Sequence, residues 1–337
     1  MPALRTEITE IATGLGALGL DDPDEAFGDR PPPAVRNVDD APWARLVAAR
    51  AARGHQGQFL ASWNNGRALF RAADGLAGRT PAVVEWKGPH RDPGDEVVPA
   101  DLRIDHVYLV SCKYLSRVLH NSAPEALFDR VLAGGQGRHS DGNWFDVVAP
   151  VEHQRLYQLV RRAHGGDLDL PEQVTALTVA QRKELRRRIP REWSDECADA
   201  YRELAVSASA GSADRWRARL AGDRDRVAML WRLLRLAAAP YFVLGTGARD
   251  SLRIRVATPW DWRQAFELRS LTVSAEGEGQ PRVGWRAEVR RREDRADLEV
   301  AGHVEVRWSH GRFGGLPEAK VYLDTPHHRV PGYFPLV

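Results

Sequence analysis

The sequence predicts an α/β (α+β) protein with more than one folded part. A chain of 337 residues is long enough for two domains, or for one core with a large insertion. Segments with the period of β-strands occur around residues 80–114 and again after residue 240, whereas residues 151–239 are predicted to be nearly all helical. We therefore expect a first sheet with flanking helices, a helical insertion and a C-terminal antiparallel sheet.

Composition excludes several classes of protein. Hydrophobic residues make up 43% of the chain, and no apolar run approaches the ~20 residues that a membrane span needs. The first segment carries Glu7 and Glu10 ahead of a weak apolar patch, unlike a secretory signal. Only Cys112 and Cys197 are present, too few for a disulfide framework or a zinc site. A cytoplasmic protein without membrane contact is expected.

Three segments are rich in arginine, although the whole chain is close to neutral. The net charge is +2, from 48 basic and 46 acidic residues. Because the guanidinium fork suits phosphate groups, these segments are candidates for nucleic-acid contact. Solvated helix faces with interspersed acids explain them as well, and both interpretations stay open. The segments are 181–193, 214–226 and 286–295, and the first supplies the candidates Arg186, Arg187 and Arg188.

Changes in composition and period divide the chain into four regions. An N-terminal helix with a Pro- and Asp-rich linker is followed by an α/β core, a helical region and a mainly antiparallel β region. In the core, residues 101–114 form one long strand, or two strands joined by a bend near Asp105 and His106. Whether the last sheet is a separate domain or extends the first stays open. The four regions are 1–42, 43–150, 151–239 and 240–337.

Acidic and basic side chains converge on the first predicted sheet. Phosphodiester cleavage with a divalent metal needs carboxylates around a hard cation, and a lysine that orients the attacking water or stabilises the developing charge. Ser111 and Lys113 are two residues apart on a strand and therefore share a face. Asp101 and Asp105, both upstream of the lysine, are the candidate aspartates. A hairpin that carries Asp101 on one strand and Lys113 on the next would suit this chemistry.

This arrangement resembles the PD-(D/E)xK nuclease superfamily, whose restriction-endonuclease-like core has the order α-β-β-β-α-β. In that family an aspartate near the start of the second core strand and an acid-x-Lys on the third bind magnesium and activate water. Asp101 or Asp105 matches the aspartate and Lys113 the lysine, while Ser111 stands where the second acid is expected. Carboxylates that could replace this acid are Glu85 on the preceding strand and Glu10 or Glu7 on the first helix.

The resemblance implies a restriction-endonuclease-like mixed sheet and a Mg²⁺- or Mn²⁺-dependent deoxyribonuclease. The implied catalytic residues are Asp105, Lys113, Asp101 and Glu85, and the three acids among them are the implied metal ligands. A second register, with Glu85 and Lys87 as the acid-x-Lys after Asp74, ranks below the first. The implied setting is bacterial defence or DNA repair, with a helicase or ATPase partner. The alternative is a nuclease fold that binds nucleic acid or assembles with partners without cutting.

Two further segments carry candidate phosphate contacts. Arg117 follows the strand that ends in Lys113 and precedes a predicted helix. Near the C-terminus, a predicted hairpin spans residues 302–324, with basic side chains around a Gly-rich turn and aromatic residues nearby. Such a tip is suited to following a nucleic-acid backbone, although a hairpin packed on its own core is an equal alternative. Its candidate residues are Arg307, His310, Arg312 and Lys320.

Overall fold

The computed structural model describes residues 4–88, 98–115, 118–129, 142–247, 251–277 and 279–337. The candidate Arg117 lies outside these residues. The chain divides into two units. The first consists of Met1–Arg117, Leu236–Ala265 and His327–Val337, and the second of Val118–Arg235 and Phe266–Pro326.

The described residues form helices and strands in both units. The helices are α1 (Leu4–Gly16), α2 (Pro23–Ala26), α3 (Asp40–Ala51), α4 (Gln56–Arg71), α5 (Pro124–Phe128), α6 (Trp144–Val148), α7 (Pro150–His164), α8 (Val179–Arg188), α9 (Asp195–Arg219), α10 (Asp223–Leu233) and α11 (Pro259–Ala265). The strands are β1 (Val35–Arg36), β2 (Val84–Trp86), β3 (Leu102–Ile104), β4 (Tyr108–Tyr114), β5 (Val118–Ser122), β6 (Tyr241–Thr246), β7 (Ser251–Val256), β8 (Phe266–Ala275), β9 (Arg282–Arg291), β10 (Asp297–Trp308), β11 (Pro317–Leu323) and β12 (Tyr333–Pro335).

The first unit is built on a mixed seven-stranded sheet with the order β1-β2-β3-β4-β6-β7-β12. The pairs β1/β2 and β4/β6 are parallel and the other pairs are antiparallel. Of the two alternatives for residues 101–114, the structure shows two strands with a bend, since β3 and β4 are joined at Asp105 and His106, which have φ angles of 48° and 61°. Strand β1 lies in the segment predicted to be a linker, and it adds to the edge of the sheet.

One face of this sheet is covered by helices, and the alternation of side chains along β4 follows from that cover. Val110 and Cys112 are buried in a core that also contains Ile11 of α1 and Trp63 of α4. Because successive side chains on a strand point to opposite faces, Ser111 and Lys113 lie on the other face. The predicted N-terminal helix is present as α1, and Ile11 and its neighbouring apolar residues bury one side of it in this core.

Helices α1 and α4 cross at two glycines with their backbones in contact. A Cβ atom on Gly66 would overlap the carbonyl oxygen of Thr13, and one on Gly16 would overlap that of Trp63. Only glycine allows this approach, because any side chain would push the helices apart. The close crossing holds α1 against the sheet and fixes where its side chains reach.

The second unit contains a five-stranded sheet with the order β5-β11-β10-β9-β8, in which all pairs are antiparallel. Helix α9 packs on β8 and β9 and also contacts α7. Trp144 of α6 is buried and donates its indole N–H to the Ser212 hydroxyl of α9 at 2.9 Å. These contacts make the unit a layer of helices on an antiparallel sheet.

The protein is therefore a mixed α and β protein with two sheets and flanking helices, as the sequence predicted at that level. The strands after residue 240 are divided between the sheets, with β6, β7 and β12 in the first and β8 to β11 in the second. The predicted core 43–150 extends beyond residue 117, where the second unit begins. The helical region 151–239 falls in the second unit up to Arg235. The two-residue hydrophobic period along the chain predicts where strands occur. Strand pairing decides which sheet each strand joins.

The helix crossing makes a prediction about stability. Gly66→Ala places a Cβ against the backbone of α1, so we expect the free energy of unfolding to fall by about 1–3 kcal/mol. Gly57→Ala, in the same helix, is the matched control, because a Cβ there meets nothing within 4 Å. The control should leave stability unchanged or raise it by up to about 1 kcal/mol. Urea unfolding measures both, and equal effects of the two variants would contradict the crossing.

Candidate functional site

Asp101 lies directly before β3 and bonds to the middle of β4. Its backbone N–H donates to the carbonyl of Val110 at 2.8 Å and so extends the β3–β4 pairing by one residue. Its Oδ2 accepts hydrogen bonds from the backbone N–H of Cys112 at 2.7 Å and from the Ser111 hydroxyl at 3.3 Å. The Asp101 carboxylate is thus fixed beside Ser111, the residue that stands where the resembled family has the acid of its acid-x-Lys motif.

Lys87 extends the same row of residues to a third strand. Its backbone N–H donates to the carbonyl of Asp101 at 2.9 Å, so β2 and β3 also remain paired one residue beyond their regular ends. Lys87, Asp101 and Ser111 therefore lie in line across β2, β3 and β4. Lys87 is only 2% exposed and Ser111 only 3%. A lysine buried beside an aspartate brings positive charge close to the carboxylate, and the sequence assigned this lysine only to the lower-ranked register.

Glu10 of α1 supplies a second carboxylate near the Cys112 thiol. Its Oε2 accepts the indole N–H of Trp86 at 2.6 Å, and Glu10 is only 7% exposed. Burial raises the pKa of the Cys112 thiol, and the Asp101 and Glu10 carboxylates raise it further. Both carboxylates therefore act on the same buried thiol from different elements. Of the acids offered as replacements for the one missing at Ser111, Glu10 is the one that acts on the Cys112 thiol.

Lys113 follows Ser111 by two residues and lies on the same face of β4. Its positive charge lowers the pKa of the Cys112 thiol, in opposition to the two carboxylates. Across the parallel pair, Lys113 is opposite Gly245 of β6. A Cβ on Gly245 would lie 2.9 Å from the Cβ of Lys113, so glycine leaves the space that the lysine side chain needs. We call Glu10, Lys87, Asp101, Ser111 and Lys113 the β4 cluster.

Asp105 lies in the β3–β4 turn and not in the β4 cluster. Its carboxylate accepts the backbone N–H groups of Ala82 at 2.7 Å and Val83 at 3.1 Å, and it pairs with Arg79 at 2.5 Å. Burial alone would raise the pKa of Asp105, but the hydrogen bonds from Arg79, Val83 and Ala82 outweigh it and lower the pKa. Every described contact of this carboxylate supports the turn, so the structure gives Asp105 a structural place.

Glu85 and Glu7, the other replacement acids, are held by cations. Glu85 accepts two hydrogen bonds from Arg103, directly opposite on β3, at 2.6 and 2.9 Å, and His106 lies 3.1 Å away. The bond from Arg103 is the main cause of the lowered pKa of Glu85. Glu7 pairs with Arg45 at 2.7 Å. Strand register explains the difference, because it sets Lys87, and not Glu85, opposite Asp101.

The donors of the β4 cluster suit a hard cation with few protein ligands. Among the residues that the structure describes, no group of three or more His, Cys, Asp or Glu side chains forms a metal site. Mg²⁺, however, commonly binds through one or two carboxylates and completes its shell with water and substrate phosphates. Asp101 and Glu10 provide two carboxylates, and the Ser111 hydroxyl adds an oxygen donor. This donor set fits Mg²⁺ better than a softer metal.

The arginines of α8, predicted to contact nucleic acid, mostly bind groups within the second unit. Arg187 pairs with Glu184 at 2.9 Å, and Arg188 pairs with Asp167 at 2.7 Å. Arg186 packs over a glycine turn, where a Cβ on Gly314 would lie 2.6 Å from its Cδ. The interspersed acids thus neutralise two of the three charges, as the alternative interpretation of this segment expected.

The hairpin at the C-terminal end of β10 is anchored by its own aromatic residue. Phe313, with a φ angle of 57°, is fully buried and stacks on His153 of α7 with ring centroids 5.6 Å apart. Arg312 lies 3.7 Å from the ring centroid of Trp193 and donates to the carbonyl of Pro190 at 2.8 Å. Of the two interpretations of this hairpin, the structure agrees with the packed one, because Phe313 gains more from burial than from exposure.

The remaining basic candidates of the hairpin have different surroundings. Arg307 lies 3.6 Å from Glu305, and Lys320 lies 3.8 Å from Glu318. His310 is exposed. These pairs lower the positive charge that the hairpin offers to a phosphate backbone.

Comparison with known proteins adds no relative to this picture. No family model, curated protein or solved structure matches the chain. In the part of the chain that the structure describes, no helix has the length and apolar character to cross a bilayer. The functional proposal below therefore rests on the geometry of the β4 cluster.

The turn at Asp105 predicts a change in acid stability. Since the folded-state pKa of Asp105 is lowered, its stabilising contribution is fully present above the unfolded-state pKa and is lost as pH falls through the folded-state pKa. We expect Asp105→Asn to lower the free energy of unfolding at pH 7 and to flatten its decline below about pH 4. Urea unfolding across this pH range measures the slope. The exposed Asp74→Asn is the control, and an unchanged slope in Asp105→Asn would contradict the assignment.

The buried Phe313 makes a second prediction. Phe313→Ala should lower the free energy of unfolding by about 3–5 kcal/mol, because it empties a site among aromatic rings. Leu316→Ala, in the same loop, is the control, since Leu316 is 39% exposed and its loss should change stability by no more than about 0.5 kcal/mol. Chemical denaturation compares the two variants. A free hairpin tip would give equal, small effects.

Proposed function

We propose that the protein is a metal-dependent nuclease that hydrolyses phosphodiester bonds in DNA. The observation that carries the proposal is the hydrogen bond from the Ser111 hydroxyl to Asp101, with Lys113 two residues further along the same face of β4 and Glu10 acting on the same buried thiol as Asp101. Asp101 takes the place of the family aspartate, and Lys113 that of the family lysine. Glu10 takes over the acidic role that Ser111 lacks.

The arrangement of the first unit supports a restriction-endonuclease-like core. Helix α4 is followed by the antiparallel strands β2, β3 and β4, and after β5 and helices α5 to α10 of the second unit the chain returns as β6, parallel to β4. These elements correspond to the order α-β-β-β-α-β of the family that the sequence resembles, with a segment of the second unit in place of the second helix. In this order Asp101 stands at the start of the second core strand and Lys113 near the end of the third.

Each residue of the β4 cluster has a role in the proposed reaction. Asp101 and Glu10 would hold Mg²⁺, which supplies a Lewis acid for the phosphoryl oxygen and lowers the pKa of a bound water. Lys113 orients the attacking water and stabilises the charge that develops on the phosphate. The backbone N–H of Cys112 and the Ser111 hydroxyl fix the Asp101 carboxylate, so that little reorganisation is needed when substrate binds.

A catalytically inactive nucleic-acid-binding subunit is the second candidate. The observation that favours it is Ser111 itself, because a hydroxyl bonded to Asp101 replaces an anionic ligand. Such a protein would keep the fold and the surface for DNA and would lose only hydrolysis. The two candidates therefore differ in cleavage and agree in binding.

Cleavage assays with matched variants test the proposal. Wild-type protein with plasmid and linear DNA, in Mg²⁺ or Mn²⁺, should cut, and Asp101→Asn, Glu10→Gln and Lys113→Ala should each reduce the rate at least about 100-fold. Glu85→Gln is the control, because the Glu85 carboxylate is bound to Arg103. This control should cut at a rate close to that of the wild type.

The outcomes separate the candidates. Wild-type protein that retards DNA on a gel but cuts nothing with either metal would favour the binding subunit. Cutting that persists in Lys113→Ala and stops in Glu85→Gln would assign the reaction to the other register. Absence of both cutting and salt-dependent retardation would remove nucleic acid as the ligand.

A further inference from the structure

Arg253 of β7 lies on the helix-covered face of the first unit's sheet and is held in a fixed orientation. It pairs with Leu244 of β6, which in turn pairs with Cys112 of β4, and both of these belong to the core under α1 and α4. Its Nε donates to the Asn65 side-chain oxygen of α4 at 3.1 Å. Asn65, only 1% exposed, donates its own amide to the Thr246 hydroxyl at 3.1 Å. The two hydrogen bonds set the direction of the guanidinium.

The charge of Arg253 has no acidic partner among the described residues. The only described hydrogen bond of its guanidinium goes to the neutral Asn65, and burial, with no opposing carboxylate, lowers the pKa of Arg253. Other arginines of the unit differ: Arg103 binds Glu85 and Arg45 binds Glu7. A partly buried cation without a counter-ion destabilises the fold. Such a group is typical of a site that binds an anionic ligand.

Arg253 is two strands away from β4 in the sheet. Arg253 and Cys112 lie on alternate strands, which places their backbones about 10 Å apart. Both lie on the helix-covered face, whereas Ser111 and Lys113 lie on the opposite face of β4. A phosphate at Arg253 would therefore be a different one from a phosphate at Lys113.

We propose that Arg253, oriented by Asn65, binds a phosphate group of a polynucleotide backbone. The guanidinium forms two parallel hydrogen bonds to phosphate oxygens, and Asn65 already holds Nε, which leaves the two Nη groups as the donors. A free phosphate offers the same oxygens, so phosphate is the ligand chemistry that the residue recognises. The choice of a polynucleotide rests on the proposed function.

The experiment measures binding of full-length protein to a fluorescently labelled single-stranded DNA 20-mer by anisotropy, in EDTA and over a range of salt concentrations. We expect Arg253→Gln to weaken binding about tenfold or more and to reduce the salt slope by about 0.7, the value for one phosphate contact on a single strand. Arg253→Lys should retain part of the affinity. The control is Arg255→Gln on the same strand, where the arginine lies 5.0 Å from the Phe334 ring centroid, and it should bind like the wild type.

Thermal unfolding separates a binding role from a structural one. Arg253→Gln removes an uncompensated charge and keeps an amide that can bond to Asn65, so its melting temperature should equal or exceed that of the wild type. A markedly lower melting temperature in both Arg253→Gln and Arg253→Lys overturns the proposal. An unchanged salt slope in Arg253→Gln overturns it as well.

Two further arms identify the source of the phosphate. Inorganic phosphate could raise the melting temperature of the wild type but not of Arg253→Gln, while the 20-mer binds equally to the two proteins. This result would overturn the polynucleotide assignment. Because EDTA prevents metal-dependent cleavage, the binding result is independent of the nuclease proposal. A protein that cuts nothing but shows the Arg253-dependent salt slope supports the phosphate site alone. A protein that cuts with an unchanged slope in Arg253→Gln supports the nuclease alone.

Discussion

The alternation of side chains along β4 is the constraint on which the first unit depends. Val110 and Cys112 are buried beneath the helices, and this burial fixes Ser111 and Lys113 on the opposite face. The strand pairs with β3 on one side and with β6 on the other, so both neighbours are fixed in register by the same apolar residues. A slip of one residue would turn Lys113 toward the helix-covered core. The strand register that packs the core therefore also sets which side chains of β4 lie on the opposite face.

The glycine crossing of α1 and α4 sets the position of Glu10 relative to the sheet. Because Gly16 and Gly66 let the two backbones touch, α1 lies close enough for Glu10 to bond to Trp86. Glu10 is nearly fully buried, and burying a carboxylate is unfavourable unless hydrogen bonds and nearby cations compensate. A carboxylate that the fold keeps in such a place stabilises it little and is suited to binding a cation.

The described contacts distinguish cations with an acidic or aromatic partner from Arg253. Arg187, Arg188 and Lys320 have acidic partners, and Arg312 lies over Trp193, so these side chains serve the second unit itself. Arg253 differs, since a neutral amide holds it and burial opposes its charge. Density of arginine in the sequence thus does not show which guanidinium groups have an acidic partner. What matters is whether an acid lies opposite each guanidinium.

By itself, the sequence determined the α and β composition and the shared face of Ser111 and Lys113, because period and turn residues act locally. It offered the bend at Asp105 and His106 as one of two alternatives. It also offered two aspartates and three replacement acids as candidates, without choosing between them. Only the tertiary structure shows that Asp101 bonds to Ser111 and that Asp105 bonds to Arg79 and Ala82, since strand register brings together residues far apart in the chain. Tertiary structure also divided the C-terminal strands between two sheets and buried Phe313. Pairing of distant strands depends on the whole core, and no local pattern records it.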